Sequence, residues 1–271
     1  MQRKFLIIDD HDSLSNGLKQ VFDALGHHVE TIETRREAVE LKEIDKFDVV
    51  ISDLENIDAI PEAVQSDDET NSCLPEAEPH KASEHIRAFK ICATSFNREN
   101  FDENELKNLF ETILNYKAQF VDRIEQIKNL REKIEFEFPS AISLMHSILD
   151  YLTKRVEKLG VVNGDNSHLF IALDEAFVNA VKHGNKFDAR KNVRVSAEIS
   201  DKEARFTFED EGDGFDIAAI PDPRDPENLF KASGRGVLLI HNIMDEVKYN
   251  ERGNRLEMIK KSENQTMPEK R

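Results

Sequence analysis

Short apolar runs alternate with amphipathic stretches along the N-terminal part of the chain. An apolar run at 5–8 is followed by a segment with apolar residues at helical spacing, and a candidate strand from Val29 to Ile32 comes next. Another helical stretch leads to the β-branched run 49–51, which is typical of a strand buried on both faces. This order of elements predicts βαβ units and a parallel sheet in an α/β domain.

The pattern changes after this third strand. Between residues 55 and 84, nine acidic residues stand against one lysine, and three prolines interrupt any long helix. We therefore expect residues 55–87 to be mostly loop or disorder. A strand at 89–93 follows, and then a helix whose start is indicated by Asp102 as N-cap with Glu105 three residues later.

That helix carries apolar residues at alternating spacings of four and three. They are Leu106, Phe110, Ile113, Phe120, Ile124 and Ile127, with Lys117 in one apolar slot. The spacing is that of a short coiled coil, so residues 103–131 are predicted to form a dimerising linker and the protein a homodimer. The alternative is a single helix packed on its own domain.

A second domain is predicted from residue 132 to 261, with a polar tail at 262–271 and the first domain confined to 1–102. Apolar residues alternate with glutamates at 134–138, as in a half-buried strand, and Pro139 and Ser140 open a helix. Further helices are expected at 166–183 and from Val237. Strands are expected near 193–199, 205–209, 246–249 and 256–259, which makes this half an α+β domain.

Charge and cysteine content narrow the function classes. The 271 residues contain 37 Lys and Arg against 54 Asp and Glu, a net charge of -17 that disfavours binding to nucleic acid or to anionic membranes. Cys73 and Cys92 have no neighbouring ligand pattern, so neither a disulfide framework nor a zinc site is indicated. Since the N-terminal apolar run is too short for a signal peptide, we expect a cytoplasmic protein.

The predicted helix at 166–183 has a polar face formed by Glu175, Asn179 and His183, which are spaced four apart. An amide oxygen can bind Mg²⁺ and a carboxylate can accept a proton, so these side chains could serve a metal site and a general base. A polar stripe of this kind is more often only the solvated face of a helix.

Two glycine-containing segments follow in the sequence. Asp210 stands at the end of a strand and precedes Gly212 and Gly214, which permit close approach of a ligand to the backbone. Further on, Gly234, Arg235 and Gly236 come directly before the helix of Val237. Glycines at a helix N-terminus expose amide groups that can bind phosphate.

Taken in order, the segments 173–185, 210–216, 222–229 and 234–237 resemble the GHKL (Bergerat) ATPase fold, and most closely the anti-sigma factor serine/threonine kinases. The resemblance implies that Glu175 is the general base, that Asn179 binds the Mg²⁺ that bridges the ATP phosphates, and that Asp210 accepts from the adenine amino group. It places a lid at 217–233. It adds to the nucleotide site His183, Gly212, Gly214, Gly234, Arg235, Gly236 and Val237. The turn at Gly253–Asn254 departs from the usual double glycine and is expected to lie outside the nucleotide pocket.

The function that this resemblance implies is ATP-dependent phosphorylation of a serine or threonine on an anti-anti-sigma (STAS) protein, with sequestration of a sigma factor when that partner is not available. One alternative is a non-catalytic ATP-binding module that acts by sequestration. Another is a response regulator whose receiver is degenerate and not phosphorylated.

The N-terminal segments 5–10 and 47–53 resemble a response-regulator receiver domain with a flavodoxin-like parallel sheet. Asp9, Asp10 and Asp53 end two predicted neighbouring strands, where clustered carboxylates favour Mg²⁺. By resemblance, Asp53 is the phospho-acceptor for an upstream histidine kinase, and the receiver regulates the kinase. The lysine that receivers carry after the fifth strand is absent from its usual context, so this receiver is degenerate. The alternative is a docking domain that has lost its switch.

Overall fold

The computed structural model of the protein describes residues 2–11, 13–41, 43–55, 73, 85–97, 101–122, 130–162, 167–214 and 235–262. The chain divides into two compact units, Met1–Pro139 and Ser140–Arg271. The strand at 134–138 that we expect to open the second domain lies within the first unit.

The first unit contains a five-stranded mixed sheet in its described part. Its elements are β1 (Lys4–Asp9), α1 (Ser15–Ala24), β2 (His28–Ile32), α2 (Arg35–Glu40), β3 (Val49–Glu55), β4 (His85–Cys92), α3 (Glu103–Tyr116) and β5 (Leu130–Pro139). The strand order is β2-β1-β3-β4-β5. β1 pairs in parallel with β2 and β3, as the βαβ pattern predicts.

β4 runs antiparallel to β3, and β5 runs parallel to β4. The prediction of a wholly parallel, flavodoxin-like sheet is therefore wrong. The apolar pattern of a buried strand is the same in both directions, so the sequence of β4 indicates a strand but not its orientation.

The apolar run of β1 forms the centre of the first unit. Phe5, Leu6, Ile7 and Ile8 are fully buried. The ring of Phe5 stacks on that of Phe22 in α1 with centroids 4.3 Å apart, which fixes this helix on the sheet.

The helix α3 begins as the sequence predicts, with the Asp102 carboxylate accepting from the backbone N–H groups of Asn104 and Glu105. It continues into a π-helical segment, Lys117–Val121. Leu106, Phe110 and Ile113 are fully buried in their own unit, and the Phe110 ring lies 5.8 Å from that of Phe138 in β5.

The coiled-coil prediction is therefore wrong for these three positions, and the alternative of a helix packed on its own domain is confirmed for them. A stripe of this spacing can be covered equally well by a sheet or by a second helix. Ile124 and Ile127 lie outside the described residues.

A disulfide joins Cys73 and Cys92, with Sγ atoms 2.11 Å apart. The sequence does not indicate this bond, because two cysteines 19 positions apart without a recognisable framework give no sign of spatial proximity. The Thr94 hydroxyl lies 3.8 Å from one sulfur and 3.7 Å from the other.

The second unit places three helices against an antiparallel sheet. Its described elements are α4 (Met145–Lys158), α5 (Ser167–Val178), β6 (Asn192–Ile199), β7 (Glu203–Asp210), α6 (Arg235–Ile243), β8 (Glu246–Tyr249) and β9 (Arg255–Lys261). The strand order is β6-β7-β9-β8. Alternate residues of β6 and β7 are buried, and the Phe177 ring of α5 meets the Phe208 ring of β7 at 6.5 Å.

None of the described helices is both long enough and apolar enough to cross a membrane.

Candidate functional site

The polar face predicted on the helix at 166–183 is present. After Val178 the helix widens into a π-helical segment, Asn179–Gly184, a feature that occurs frequently at functional sites. Glu175 and Asn179 are half-buried and His183 is exposed. On the opposite face, Phe177 and Val181 are fully buried.

The carboxylate of Asp210 lies between two glycines. A Cβ atom placed on Gly184 would overlap this carboxylate, and a Cβ atom on Gly212 would overlap the carbonyl oxygen of Gly184. The backbone N–H of Gly212 donates to Asp210 Oδ1 at 2.8 Å. Asp210 and Gly212, which the sequence singles out, thus meet in one place together with Gly184, which it does not. The sequence feature that could have indicated Gly184 as a site residue is its position directly after His183, in the same motif.

Burial raises the pKa of the Asp210 carboxyl, because the charged form loses solvation. The bond from the Gly212 N–H, with Lys191 and Arg252, acts in the opposite direction. A carboxylate so placed is able to accept from an amino group of a ligand.

Asn185 was not predicted to be a site residue. Its side chain forms hydrogen bonds to three separate segments. It is 1% exposed, and its Nδ2 donates to Ser140 Oγ and to the Asn192 carbonyl, both at 2.8 Å. Its Oδ1 accepts from the backbone N–H of Glu211 at 2.9 Å. The side chain therefore fixes the loop after Asp210 against the end of the π-helical segment.

The other flank of this loop contacts the turn between β8 and β9. Gly214 has φ +76°, and a Cβ atom there would overlap the carbonyl oxygen of Arg252. The Arg252 Nη2 donates to the Gly212 carbonyl at 2.7 Å. A cavity of about 210 Å³ opens here, lined by Asn192, Arg194, Glu209, Asp210, Glu211, Arg252 and Asn254.

Glu175 meets the start of α6. A Cβ atom on Gly236 would overlap the Glu175 carboxylate, so the two predicted motifs are in direct contact. A carboxylate is favourable at a helix N-terminus, where free backbone N–H groups leave a partial positive charge. The same N–H groups suit the phosphates of a nucleotide.

Arg235 is the first residue of α6, and Val237 is half-buried in its first turn. Gly234 and the expected lid at 217–233 lie outside the described residues.

The chemistry of this donor set fits a magnesium nucleotide. The Asn179 side chain carries an oxygen atom of the kind that Mg²⁺ prefers, the Glu175 carboxylate can accept a proton, and the helix N-terminus at Gly236 suits an anion. Asp210 supplies an acceptor in a narrow space between glycines.

The three aspartates of the predicted cation site accept hydrogen bonds from different partners. The Asp9 carboxylate accepts from the backbone N–H groups of Leu14 and Ser15, both at 2.8 Å, at the start of α1. Asp10 accepts from the backbone N–H of Glu55 at 2.9 Å, and burial raises the pKa of its carboxyl.

Asp53 is 2% exposed and fully paired. Arg87 donates from Nε at 3.1 Å and from Nη2 at 2.9 Å, and the Lys117 ammonium lies 2.8 Å away. Burial opposes the charge of this carboxylate, but Lys117 and Arg87 outweigh it and hold the pKa of Asp53 below its usual value. Lys117 itself is 1% exposed.

The structure places Asp9 and Asp53 opposite each other on β1 and β3, with Asp10 directly after Asp9. Within the part of the chain that it describes, no group of three or more Asp, Glu, His or Cys side chains could hold a metal ion. Arg87 and Lys117 were not predicted to meet Asp53. The one signal was Lys117 in an apolar slot of α3, because a charge at such a position needs a buried partner.

The known proteins that this chain resembles match its second half. Residues 138–260 match the family described as histidine kinase-like ATPase domain. The serine-protein kinase RsbW of Staphylococcus epidermidis is 29% identical over 142 residues, which cover 49% of this chain and 89% of that protein. The serine-protein kinase RsbW of Staphylococcus aureus (strain JH9) is 30% identical over 135 residues, which cover 47% of this chain and 85% of that protein.

These matches confirm the GHKL-type ATPase resemblance of the C-terminal half and leave residues before 138 outside the matched family. Since the chain covers most of the S. aureus protein at 30% identity, it belongs, through its C-terminal half, to the family of the serine-protein kinase RsbW.

Proposed function

We propose that the second unit is an ATP-dependent protein kinase of the anti-sigma factor type. Its substrate is a serine or threonine hydroxyl on an anti-anti-sigma (STAS) protein, and it binds a sigma factor when that protein is not available. Membership of the RsbW family supports ATP as the phosphodonor.

The contact between Glu175 and Gly236 is the observation that carries this proposal. It joins the residue expected to act as base to the helix end expected to bind phosphate. A general base must lie within hydrogen-bond reach of the attacking hydroxyl, and this hydroxyl must in turn lie beside the transferring phosphate. A carboxylate beside a phosphate-binding helix end meets that requirement.

In the mechanism that follows, Asp210 accepts from the adenine amino group and orients the base, and the N-terminus of α6 holds phosphate oxygens. Asn179 would supply an oxygen ligand for Mg²⁺, which would neutralise charge on the transferring phosphoryl group. Glu175 accepts the proton of the attacking hydroxyl while the hydroxyl oxygen forms a bond to the γ-phosphorus. The bond between the γ-phosphorus and the leaving ADP oxygen breaks.

The test is incubation of the purified chain with labelled ATP, Mg²⁺ and candidate STAS proteins. We expect label on a serine or threonine of one candidate, and loss of this label with Glu175→Ala and with Asn179→Ala. Glu33→Ala, which removes an exposed glutamate in the first unit, is the control and should transfer label normally. Transfer that persists in Glu175→Ala would contradict the role of this base.

ATP binding without transfer to any candidate would instead support the sequestering module. In that case Glu175→Ala should leave regulation of the sigma factor intact.

For the first unit, we propose the alternative without phosphorylation, a docking domain that has lost its switch. A phosphoryl group on Asp53 would have to displace Arg87 and Lys117 from a carboxylate that is 2% exposed. Incubation with acetyl phosphate should leave the chain unlabelled. Hydroxylamine-labile label that is lost in Asp53→Asn would contradict this proposal.

A further inference from the structure

We infer that Asn254, in the turn between β8 and β9, is a positioning residue that aims the Asp210 carboxylate and thereby sets the preference for adenine over guanine. The inference rests on the proposed function, since it assumes that Asp210 meets the purine. The sequence alone places this turn outside the nucleotide pocket.

Asn254 is hydrogen-bonded to both backbone polar groups of Asp210, its N–H and its carbonyl. The Asp210 N–H donates to the Asn254 carbonyl at 3.0 Å, and Asn254 Nδ2 donates back to the Asp210 carbonyl at 2.7 Å. Asn254 is 7% exposed, so this pair is shielded from water. It fixes the backbone from which the carboxylate projects.

The orientation of the Asn254 amide is itself determined by Asn250. Asn250 Nδ2 donates to Asn254 Oδ1 at 2.9 Å, which leaves Asn254 Nδ2 as the group that faces Asp210. Asn250 Oδ1 accepts from the backbone N–H groups of Gly253, Asn254 and Arg255 at 2.9, 3.1 and 3.2 Å. The turn is therefore a rigid support for Asn254 and not a mobile loop tip.

The loop after Asp210 is held at further points. Asn185 accepts from the Glu211 N–H, Arg252 donates to the Gly212 carbonyl, and the Gly212 N–H donates to the Asp210 carboxylate itself. With the carboxylate wedged between Gly184 and Gly212, a shift of the Asp210 backbone moves the acceptor directly. Among these residues, Asn254 is the one whose side chain donates to the backbone of Asp210 itself.

The consequence is a specificity effect. The adenine amino group donates a hydrogen bond to a carboxylate, whereas guanine presents an acceptor oxygen at the same ring position. A well-aimed carboxylate therefore favours ATP and disfavours GTP. A carboxylate whose orientation is less well fixed should bind ATP less favourably and exclude GTP less strongly, because hydrogen bonds weaken steeply with misalignment.

The experiment measures the dissociation constants of fluorescent ATP and GTP analogues for the full chain. We expect Asn254→Ala to lower the preference for ATP about tenfold, which corresponds to about 1.4 kcal/mol. Asn108→Ala, which removes an exposed asparagine in α3, is the matched control and should keep the preference of the wild type.

A double-mutant cycle with Asp210→Asn separates aiming of the carboxylate from a general structural effect. If Asn254 acts through Asp210, the double variant should show the same ATP-to-GTP ratio as Asp210→Asn alone. Additive losses, or an unchanged ratio in Asn254→Ala, would overturn the inference. Asn254→Ser, which keeps a hydroxyl donor, should recover part of the preference.

Arg252→Ala provides a second route if Asn254→Ala does not fold, because the Arg252 side chain is exposed and donates to the Gly212 carbonyl in the same loop. It should lower the ratio less than Asn254→Ala, and an unchanged ratio would then count against a role for this turn. The wild type reports on the proposed function separately. Failure of the wild-type chain to bind either nucleotide would remove the proposed function, and the inference with it.

Discussion

At the scale of single residues, the site depends on side chains that are absent as much as on those present. Gly184, Gly212 and Gly236 each lie where a Cβ atom would overlap a carboxylate or a carbonyl of a neighbouring motif. Asp210 and Glu175 approach the backbone closely for that reason. In the first unit the opposite holds, since Asp53 is enclosed by two long cationic side chains.

Gly184→Ala should weaken ATP binding by at least about tenfold, because the added methyl group must displace the Asp210 carboxylate. Nucleotide titration of the purified variant measures this. The control is Gly160→Ala, where φ is +75° but a Cβ atom would meet nothing within 4 Å. It should lower the melting temperature and leave nucleotide affinity unchanged. Equal affinity for ATP in the two variants would contradict the expected overlap between the added methyl group and the Asp210 carboxylate.

Asp53→Asn should lower the free energy of unfolding at neutral pH by about 3 to 5 kcal/mol, because Arg87 and Lys117 would stay buried without their counter-charge. The folded-state pKa of Asp53 lies below the unfolded value, so the pair stabilises the protein above about pH 4 and loses this effect as the pH falls through the folded pKa. In urea unfolding between pH 3 and 7, the difference between wild type and variant should therefore narrow below about pH 4. A constant difference would argue against the ion pair.

At the scale of elements, α3 illustrates how one pattern allows two structures. Its stripe meets β5 and the sheet of its own unit, and the lysine in the stripe reaches Asp53 instead of a partner helix. The π-helical turn from Lys117 carries this side chain. The same widening in the second unit begins at Asn179, the predicted magnesium ligand.

Phe110→Ala should cost about 3 to 5 kcal/mol in the free energy of unfolding, since a fully buried ring leaves a cavity in the core of the first unit. Phe120→Ala, at a ring that is 58% exposed, should cost under about 1 kcal/mol. Chemical denaturation gives both values, and sedimentation gives the oligomeric state. A change from dimer to monomer in Phe110→Ala without loss of monomer stability would revive the coiled-coil interpretation.

At the scale of the whole molecule, the chain consists of two compact units with different connections to known proteins. The second unit contains nearly all of the region matched to the ATPase family, while the first has the disulfide between Cys73 and Cys92. A disulfide restricts the unfolded chain, so its effect belongs to the unit that contains it.

Reduction should lower the free energy of unfolding of the first unit by about 3 kcal/mol, the value expected for a closed loop of this length. Nucleotide binding by the second unit should not change. Thermal unfolding with and without dithiothreitol measures the first effect, and titration with an ATP analogue measures the second. Cys73→Ser should be insensitive to the reductant, and sensitivity in that variant would place the effect elsewhere.

The sequence by itself determined what short-range physics controls. The βαβ order of the first three strands, the Asp102 cap of α3 and the helix that bears Glu175 and Asn179 all follow from periodicity and local capping. The GHKL-type ATPase resemblance could also be read from motifs whose residues lie close together along the chain.

Only the tertiary structure decided the direction of β4, the burial of α3, the disulfide and the partners of Asp53. It also brought Asn185 and Asn254 to the loop that carries Asp210. Each of these depends on contacts between residues far apart in sequence, and the periodicity of an apolar pattern specifies which face is buried but not what covers it.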